Sequence, residues 1–593
     1  MSTDTRNWLH AFPLAELAPG SSWAFKLGGR QIAIFHRSEG TLYASDNRCP
    51  HEGYPLARGR FFGESVLMCI WHSFAFNLED GRCLAGDEDL AVYPVRVVDG
   101  EIEVDVVKTD LAASIRQRFE SLNEGLRVGS MGQVVRDVVR LLEAGVSAEQ
   151  LVGFAVSFDS RYAPYGSTHA LPLAADTLRM LPRYSDVQAI RPLAQLFDMA
   201  GELLSSQAAP TGDSARKLRE RPEAIDPGDE PVAAGERLRE AAEALRIAEA
   251  EGLLRGAIAK GWGRAEIEPW LFRLCTDHFI AFGHGLIYQT KVFDMLDQLG
   301  WQHADEILGA HLFPIVFGAR EERIPNHSAF LRALPRIDSE LVRWYEAAGA
   351  REVSASQETS LSLALLEGGT DEALDALAGC LNAGVAPAAL VRVLSLAASE
   401  RILRFDPAIE ADPTVQEGWL DVTHTLTTAS ATRLALERFD HPDALRTLFQ
   451  LAYFIQRSRP LDSDKPPETA VARGATLEQV LAAVGDHRPD EAVSTTAGYL
   501  ADGGETDELC HGLQDLIFAD HAVLPIFVTH MLKTLLAARD EYEALGDHPE
   551  RQRPLLAAVR FLAAPQSEHR LASAIEDALR FVVDAKTPRR LTP

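Results

Sequence analysis

Two patterns of apolar and polar positions divide the chain near residue 108. Before it run short alternating segments: QIAIFHR, TLYASD, SVLMCIW, LAVYPVRVVDG and EIEVDVV. Gly, Asp and Pro separate them. A period of two predicts half-buried strands, and several strands at short spacing predict a small antiparallel β-domain over residues 1–107. After residue 108 apolar residues recur every three or four positions, as in VVRDVVRLLEAG and EQLVGFAV, in a background rich in Ala, Leu, Glu and Arg. That period predicts helix throughout, with no strand beyond residue 110. The expected fold class is therefore multidomain, a small all-β domain followed by a large all-α one.

The helical part reads as internally repeated. LLEAGVSAEQLVGFAV (141–156), AIAKGWGRAEIEPWLF (257–272) and CLNAGVAPAALVRVLS (380–395) are each a helix, a Gly turn and another helix. Four pseudo-repeats are expected, over 108–204, 241–350, 351–460 and 461–593. Residues 205–240 form a linker or insert, because 205–235 is polar, Pro/Gly-rich and predicted to be a flexible excursion. A second such segment is 458–474.

Composition adds exclusions. The 593 residues carry 58 Lys and Arg against 86 Asp and Glu, a net charge of −28. So acidic a chain lacks the basic footprint that nucleic acid or an anionic membrane requires. The opening MSTDTRNWLHAF has no basic stretch followed by an apolar run, and no run of about 18 uncharged apolar residues occurs. A cytoplasmic protein with no membrane segment is expected. Six Cys do not make a disulfide framework in a chain of this length, whereas 18 His are a surplus to be explained.

One pair of loops carries recognisable chemistry. Cys49-Pro50-His51 is followed, seventeen residues on, by Cys69-Ile70-Trp71-His72. Two thiolates can hold one iron of a [2Fe–2S] cluster and two neutral imidazoles the other. A zinc site is the alternative, but zinc pairs more often read C-x2-C or H-x3–5-H. Residues 8–107, with CPHEGYPLARGRF, CIWHSFAFNLEDGRC and LAVYPVRVVDGEIEV, resemble the Rieske ferredoxin domains of bacterial oxygenase systems. The resemblance implies Cys49 and Cys69 on one iron and His51 and His72 on the other. Many relatives have Gly after the last His, where this chain has Ser73. The extra loop Cys of respiratory-type Rieske proteins is absent, and Cys83 reads as a packed thiol. Such a domain conducts electrons and does no substrate chemistry itself.

The electron's destination must lie in the helical part. Rieske oxygenases usually place an acid three residues before the first of two His on a mixed α/β domain. Here Cys275 stands three before His278, and the region is all helix, so that domain is not carried over. Instead each module offers an acid and then a His that opens a long helix. Asp159-x4-Pro164-x4-His169 and Asp520-x4-Pro525-x4-His530 are the cleanest copies; Asp277 with His284 and Glu400 with His424 are looser. Thr precedes His169, His424 and His530. His278 and His521 directly follow Asp277 and Asp520, and His311 lies on an apolar helix. Asp440-His441-Pro442 and Asp547-His548-Pro549 read as helix caps. His303, His327, His441 and His548 are expected to be caps or surface, and His487 and His569 exposed.

Bundles build redox-metal sites by converging His and carboxylates from several helices. The sharp expectation is a non-haem iron centre from His169, His284, His424 and His530 with Asp159, Asp277, Glu400, Asp520, His278 and His521. The bland one is structural Asp–His pairing within each module. Haem with a His axial ligand stays open, though without C-x-x-C-H it is not covalent. Tyr162, Tyr165, Phe279, Phe282 and Tyr288 flank the candidate His, and line either a substrate pocket or simple core. YGSTHALPLAADTL and DVTHTLTTASATRLAL also resemble, over these short segments, questin-oxidase-like proteins, which implies oxygen insertion into an aromatic or cyclic ketone.

The expected function is a Rieske-type oxidoreductase, an oxygenase. Its cluster passes electrons to the helical-domain iron, which activates O2 against a small organic substrate. The alternative is a non-catalytic redox-sensing or electron-transfer protein with a helical scaffold; an ordinary solenoid fits badly, because the modules are over a hundred residues apart. No nucleotide-binding Gly-rich loop follows a strand, so a separate NAD(P)H-dependent reductase is expected. A homo-oligomer is compatible with all of this.

Overall fold

The computed structural model describes residues 7–27, 30–51, 53–86, 88–106, 111–163, 165–205, 218–410, 412, 415, 417–464, 470–519 and 524–565. Asp520, His521 and His569 lie outside them. The chain forms two compact units, one of residues 1–125 with 130–145 and the other of 126–129 with 146–593.

Among the described residues the first unit holds eleven strands: β1 (Trp8–Pro13), β2 (Ser22–Leu27), β3 (Arg30–His36), β4 (Leu42–Asp46), β5 (Arg60–Phe62), β6 (Val66–Met68), β7 (Ala75–Asn77), β8 (Cys83–Ala85), β9 (Val92–Tyr93), β10 (Val95–Val98) and β11 (Glu101–Asp105). They form three antiparallel sheets, ordered β1-β11-β10, β2-β3-β4-β9 and β5-β6-β7-β8. β3 is buried on both faces, because successive side chains point to opposite sides of a strand. Ile32 and Ile34 enter one core with Phe12, Ile102 and Val104. Ala33 and Phe35 enter a second with Leu56, Leu67, Phe76, Cys49 and Cys69. The two candidate cluster thiols therefore belong to an apolar core built by ordinary strand alternation.

Helices Leu111–Val128 and Met131–Glu143, read from sequence as the start of the first helical module, fall largely in this unit. The Glu88 side chain is fully buried and accepts hydrogen bonds from Arg136 Nη2 (2.8 Å) and Arg140 Nη1 (2.5 Å). Arg140 Nη2 also donates to the carbonyl of Pro50, in the first ligand loop, at 2.9 Å.

The second unit is helical, and no strand follows β11 among the described residues. Its centre is a ring of four helices. Ala170–Met180 packs on His284–Leu299, that helix on Trp419–Arg438, that on Pro525–Ala544, and the last back on the first. One departure from expectation lies in the polar insert. Helix begins at Pro231, not after 240, and within 218–230 Ile225 lies against the helix Ile247–Ala259. Ile225 N–H donates to the Gly252 carbonyl at 2.8 Å, and a Cβ at Gly256 would lie 1.8 Å from the Ile225 carbonyl oxygen. Two glycines four apart clear one helix face for a backbone to lie on. Arg219 adds a two-pronged bond to the buried Glu251, at 2.7 and 2.9 Å. No helix among the described residues is long and apolar enough to cross a membrane.

Candidate metal centres

The two ligand loops of the β-domain share one backbone turn. Cys49 N–H donates to the Tyr54 carbonyl and Gly53 N–H returns to the Cys49 carbonyl, at 2.9 and 2.8 Å. Cys69 and Phe74, and Ser73 and Cys69, repeat the pattern at 2.7 and 3.0 Å. The fourth residue after each Cys has a left-handed backbone, Gly53 at φ +76° and Ser73 at φ +62°. Glycine adopts that conformation without cost and serine does not. The Cys residues are buried, at 3% and 1% exposure, while His72 is exposed. The two imidazole rings meet edge to face with centroids 4.8 Å apart. His51 stacks on Phe74 and His72 on Trp71. Two buried sulfur donors behind two imidazoles at the rim suit a [2Fe–2S] cluster with one thiolate-held and one imidazole-held iron.

Residues 7–94 match the Rieske [2Fe-2S] domain family. The ferredoxin component of the naphthalene 1,2-dioxygenase/salicylate 5-hydroxylase systems of Ralstonia sp is 30% identical over 95 residues, which are 16% of this chain and 89% of that protein. The 3-phenylpropionate/cinnamic acid dioxygenase ferredoxin subunit of Escherichia coli is 28% identical over 102 residues, 17% of this chain and 94% of that protein. Among solved structures, the ferredoxin of carbazole 1,9a-dioxygenase from Nocardioides aromaticivorans is 28% identical and covers 16% of this chain and 95% of its own, with a TM-score of 0.16. The fold and its four donors define an iron–sulfur electron-transfer domain of ferredoxin type. Through residues 7–94 the chain belongs to the Rieske [2Fe–2S] family, and the large helical unit lies outside the matched region.

In the helical unit His169, His284, His424 and His530 converge, each offering a ring nitrogen within 4.8 Å of the others. One comes from each helix of the central ring. His169 and His284 stand at helix starts, and His424 and His530 lie one turn inside. Their Nδ1 atoms donate to the carbonyls of Leu420 (2.5 Å) and Ile526 (2.7 Å), which fixes the tautomer and leaves each Nε2 a bare acceptor. Nε2 of His424 faces Nε2 of His284 at 2.7 Å and that of His530 at 3.3 Å. His169 Nε2 is buried with no hydrogen-bond partner among the described residues. Burial holds all four imidazoles well below their ordinary value, with further lowering by the neighbouring Lys533. Four neutral imidazoles converging on one point form a group that could hold a metal ion.

The approach to His284 is strained. Ala281, Phe282 and Gly283 all have positive φ, at 44°, 58° and 85°. Phe282 N–H is held by Glu321 Oε1 at 2.6 Å, and a Cβ at Gly283 would lie 2.3 Å from Thr428 Oγ1. Consecutive residues in such a region persist only where their surroundings over-determine them, as they do at functional sites.

Among the described residues, the expected ligands Asp159, Asp277 and Glu400 do not join the four His. Asp159 accepts from Thr168 N–H (2.9 Å) and Thr168 Oγ1 (2.7 Å), and Thr168 Oγ1 in turn caps Ala170 at 3.0 Å. Asp159 thus anchors the turn bearing His169, and burial pushes its carboxyl up to about 7. Asp277 is engaged by Arg239, Arg273 and Arg446. Glu400 is engaged by Arg404 and Arg553. His278 bridges Glu322 and Glu243, at 2.7 Å each. In each case another partner, the Thr168 turn, an arginine or a carboxylate, satisfies the group first. His441 and His548 do cap their turns, through Nδ1 acceptance from Asp443 N–H and Glu550 N–H. His327 is not a surface residue: it is 2% exposed and accepts from Arg457 Nε at 3.0 Å.

Three groups beside the centre were absent from the sequence reading. Lys533 Nζ lies 2.9 Å from His424 Nε2, and Lys291 Nζ lies 2.5 Å from the buried Asp176. Asp176 and Lys291 stand seven residues after His169 and His284, and Lys533 three after His530. Those spacings keep each on the face of its His, which was a usable signal. Against His169 and His284 opens a cavity of about 400 Å³ lined by Tyr288, Ile280, Met199, Ile315 and His311 among others. Of the flanking aromatics, Tyr165 and Tyr288 line it. Phe279 packs in the core on Phe454, Tyr162 on Phe158, and Phe282 near His424.

Proposed function

We propose that the chain is an oxygenase in which the Rieske cluster supplies electrons to a non-haem iron held by His169, His284, His424 and His530. The observation that carries this is the convergence of four neutral imidazoles, one per helix, against an apolar cavity. Imidazole ligation suits redox iron, which would supply one-electron chemistry toward O2 when bound. The chain's own contribution is positional. Leu420 and Ile526 carbonyls orient two imidazoles, Asp159 and Thr168 fix the turn of the third, and the positive-φ turn at 281–283 sets the fourth. The apolar cavity keeps water from the open side and receives the substrate. Electrons come from a separate NAD(P)H-dependent reductase, as the absence of any nucleotide-binding motif in the sequence supports.

Metal analysis of freshly purified chain tests the reading. Wild type should hold more iron than the two atoms of a [2Fe–2S] cluster. Cys49→Ser should lose the cluster's iron and visible absorption, keep the remaining iron, and lose reductase-driven O2 consumption. His424→Ala should lose only the remaining iron. Full O2 consumption in Cys49→Ser would end the conduit model. A second reading, a redox module without a second metal, is favoured by the curated relatives being ferredoxin components. It predicts cluster iron alone.

A further inference from the structure

The helices Leu111–Val128 and Met131–Glu143 lie beyond the Rieske match at residues 7–94. The two ferredoxin relatives are nearly used up by the segment they share with this chain, at 89% and 94% of their lengths. Relative to them the helix pair is an addition. Yet residues 111–125 and 130–145 belong to the same compact unit as the β-domain. Gln133, Arg136, Asp137 and Arg140 follow one another at i, i+3, i+4 and i+7, which puts them on one face of the second helix. Gln133 Nε2 donates to the Ser121 carbonyl at 2.9 Å, and Ser121 Oγ donates to Asp137 Oδ2 at 2.5 Å. These bonds fix the register of one helix against the other.

Arg140 reaches from that face in two directions. Its Nη1 donates to Glu88 Oε2 at 2.5 Å and to Asp137 Oδ1 at 3.3 Å, and both carboxylate side chains are fully buried. Its Nη2 donates to the Pro50 carbonyl at 2.9 Å. The guanidinium is a rigid planar fork, so the charge stands between the carboxylates and the ligand loop. Pro50 separates Cys49 from His51, the two candidate ligands of that loop. One-electron reduction adds a negative charge to a [2Fe–2S] cluster, and its potential follows the net charge and hydrogen bonding around it. A cation on the loop favours the reduced form, and a carboxylate behind that cation opposes it. Glu52 and Asp87 lie outside the described residues. They bear on the absolute potential, but not on the sign of the change when one other charge is removed.

We infer that Arg140, held by the added helix pair against the Pro50 carbonyl, is a positioning residue of the Rieske centre that raises its reduction potential, while Glu88 and Asp137 lower it. The inference needs only the cluster, and it stands whether or not the four His hold a metal.

A redox titration of the full chain at fixed pH tests it, followed by the cluster's visible absorption and by the paramagnetic signal of its reduced form. Arg140→Gln should keep the acid-labile sulfide of the cluster. It should shift the equilibrium about tenfold toward the oxidised form, which is a potential lower by about 59 mV for one electron. Arg140→Lys, which keeps the charge, should stay close to wild type. Glu88→Gln and Asp137→Asn should shift the equilibrium the other way. A loop that was merely loosened would move in the same direction in all of these variants, so opposite signs separate charge from structural support. An unchanged potential in Arg140→Gln, or one sign shared by Arg140→Gln and the two carboxylate variants, would overturn the inference. If Arg140→Gln assembles no cluster, Asp137→Asn decides, because it leaves the Pro50 bond in place. A potential there at or below that of wild type would overturn the inference.

Discussion

His284 and His424 are 140 residues apart, yet their Nε2 atoms face each other at 2.7 Å. The His424 Nδ1 hydrogen is committed to the Leu420 carbonyl, so its Nε2 presents a lone pair. His530 does the same from the neighbouring helix. Lys533 Nζ also reaches His424 Nε2 at 2.9 Å, and a cation held at this point would meet the His424 and His530 lone pairs.

Metal removal should therefore loosen the four-helix ring. In a Cys49→Ser background, where the cluster does not contribute, chelation should lower the thermal midpoint and iron should restore it. A ligand that binds only the folded form adds about 3–4 kcal/mol when free metal exceeds its Kd by a hundred- to thousandfold. A chelator-insensitive midpoint would contradict the metal reading.

Asp159 engages Thr168 and not the four His. Asp159→Ala should cost about 2 kcal/mol by denaturant titration, because it leaves the buried Thr168 donors without their acceptor. It should also reduce iron retention by displacing His169. Unchanged stability would show that the turn at 165–169 is held by other contacts.

Ser73 sits at φ +62°, where its counterpart in the first ligand loop is Gly53. Ser73→Gly should stabilise the β-domain by about 1 kcal/mol, the cost of a left-handed L-residue, with cluster content unchanged. A lower thermal midpoint would show that the Ser73 side chain contributes more than its backbone costs.

Glu88 is fully buried under Arg136 and Arg140. Glu88→Ala should destabilise the cluster-bearing unit by about 3 kcal/mol, since breaking a buried pair strands the remaining charges. The arginines are themselves a quarter exposed, so solvation of their free ends keeps the loss at the lower limit of that range. The reading is a denaturant midpoint followed by the cluster's visible absorption.

His311 gives the chain a pH dependence of known sign. Its folded value of about 3 lies below the unfolded value of about 6.5. Its contribution is therefore whole above pH 6.5 and is lost as pH falls toward 3, because only the unfolded imidazole takes up the proton. At pH 5 the loss is about 2 kcal/mol. His311→Phe should show that much less destabilisation than wild type between pH 7.5 and pH 5, in parallel urea titrations. Equal losses in the two proteins would mean that His311 is hydrated in solution.

Much of the chemistry could be read from local spacing. Cys49, His51, Cys69 and His72 lie on two short loops, so sequence separation alone constrains how they meet. The four helical His are visible as a repeated acid-to-His spacing, while Asp159, Asp277 and Glu400 are engaged by other partners and Asp520 lies outside the described residues. Asp277 and Glu400 read as available carboxylates, although Arg273 and Arg404 stand one helical turn away; their further partners Arg239, Arg446 and Arg553 come from other elements. His327, read as cap or surface, takes the N-cap position of Ser328–Glu346 and is buried against Arg457, 130 residues away. The contact made by Ile225 is hidden because its partner is a glycine-cleared helix face, which carries no hydrophobic signal.

What the sequence determined by itself was local: a β-domain with two metal-ligand loops, a helical remainder, and one His opening or entering a helix in each of four stretches. Period-two and period-3.6 patterning and short ligand spacings depend only on neighbours along the chain. What tertiary structure decided was which distant groups share a point in space. It brought four imidazoles together, gave Asp277 and Glu400 to arginines and Asp159 to Thr168, and left His311 Nδ1 buried without a partner among the described residues. Those outcomes follow from the packing of helices around a ring, where the cost of an unpaired buried group is settled by whichever partner the fold places nearest.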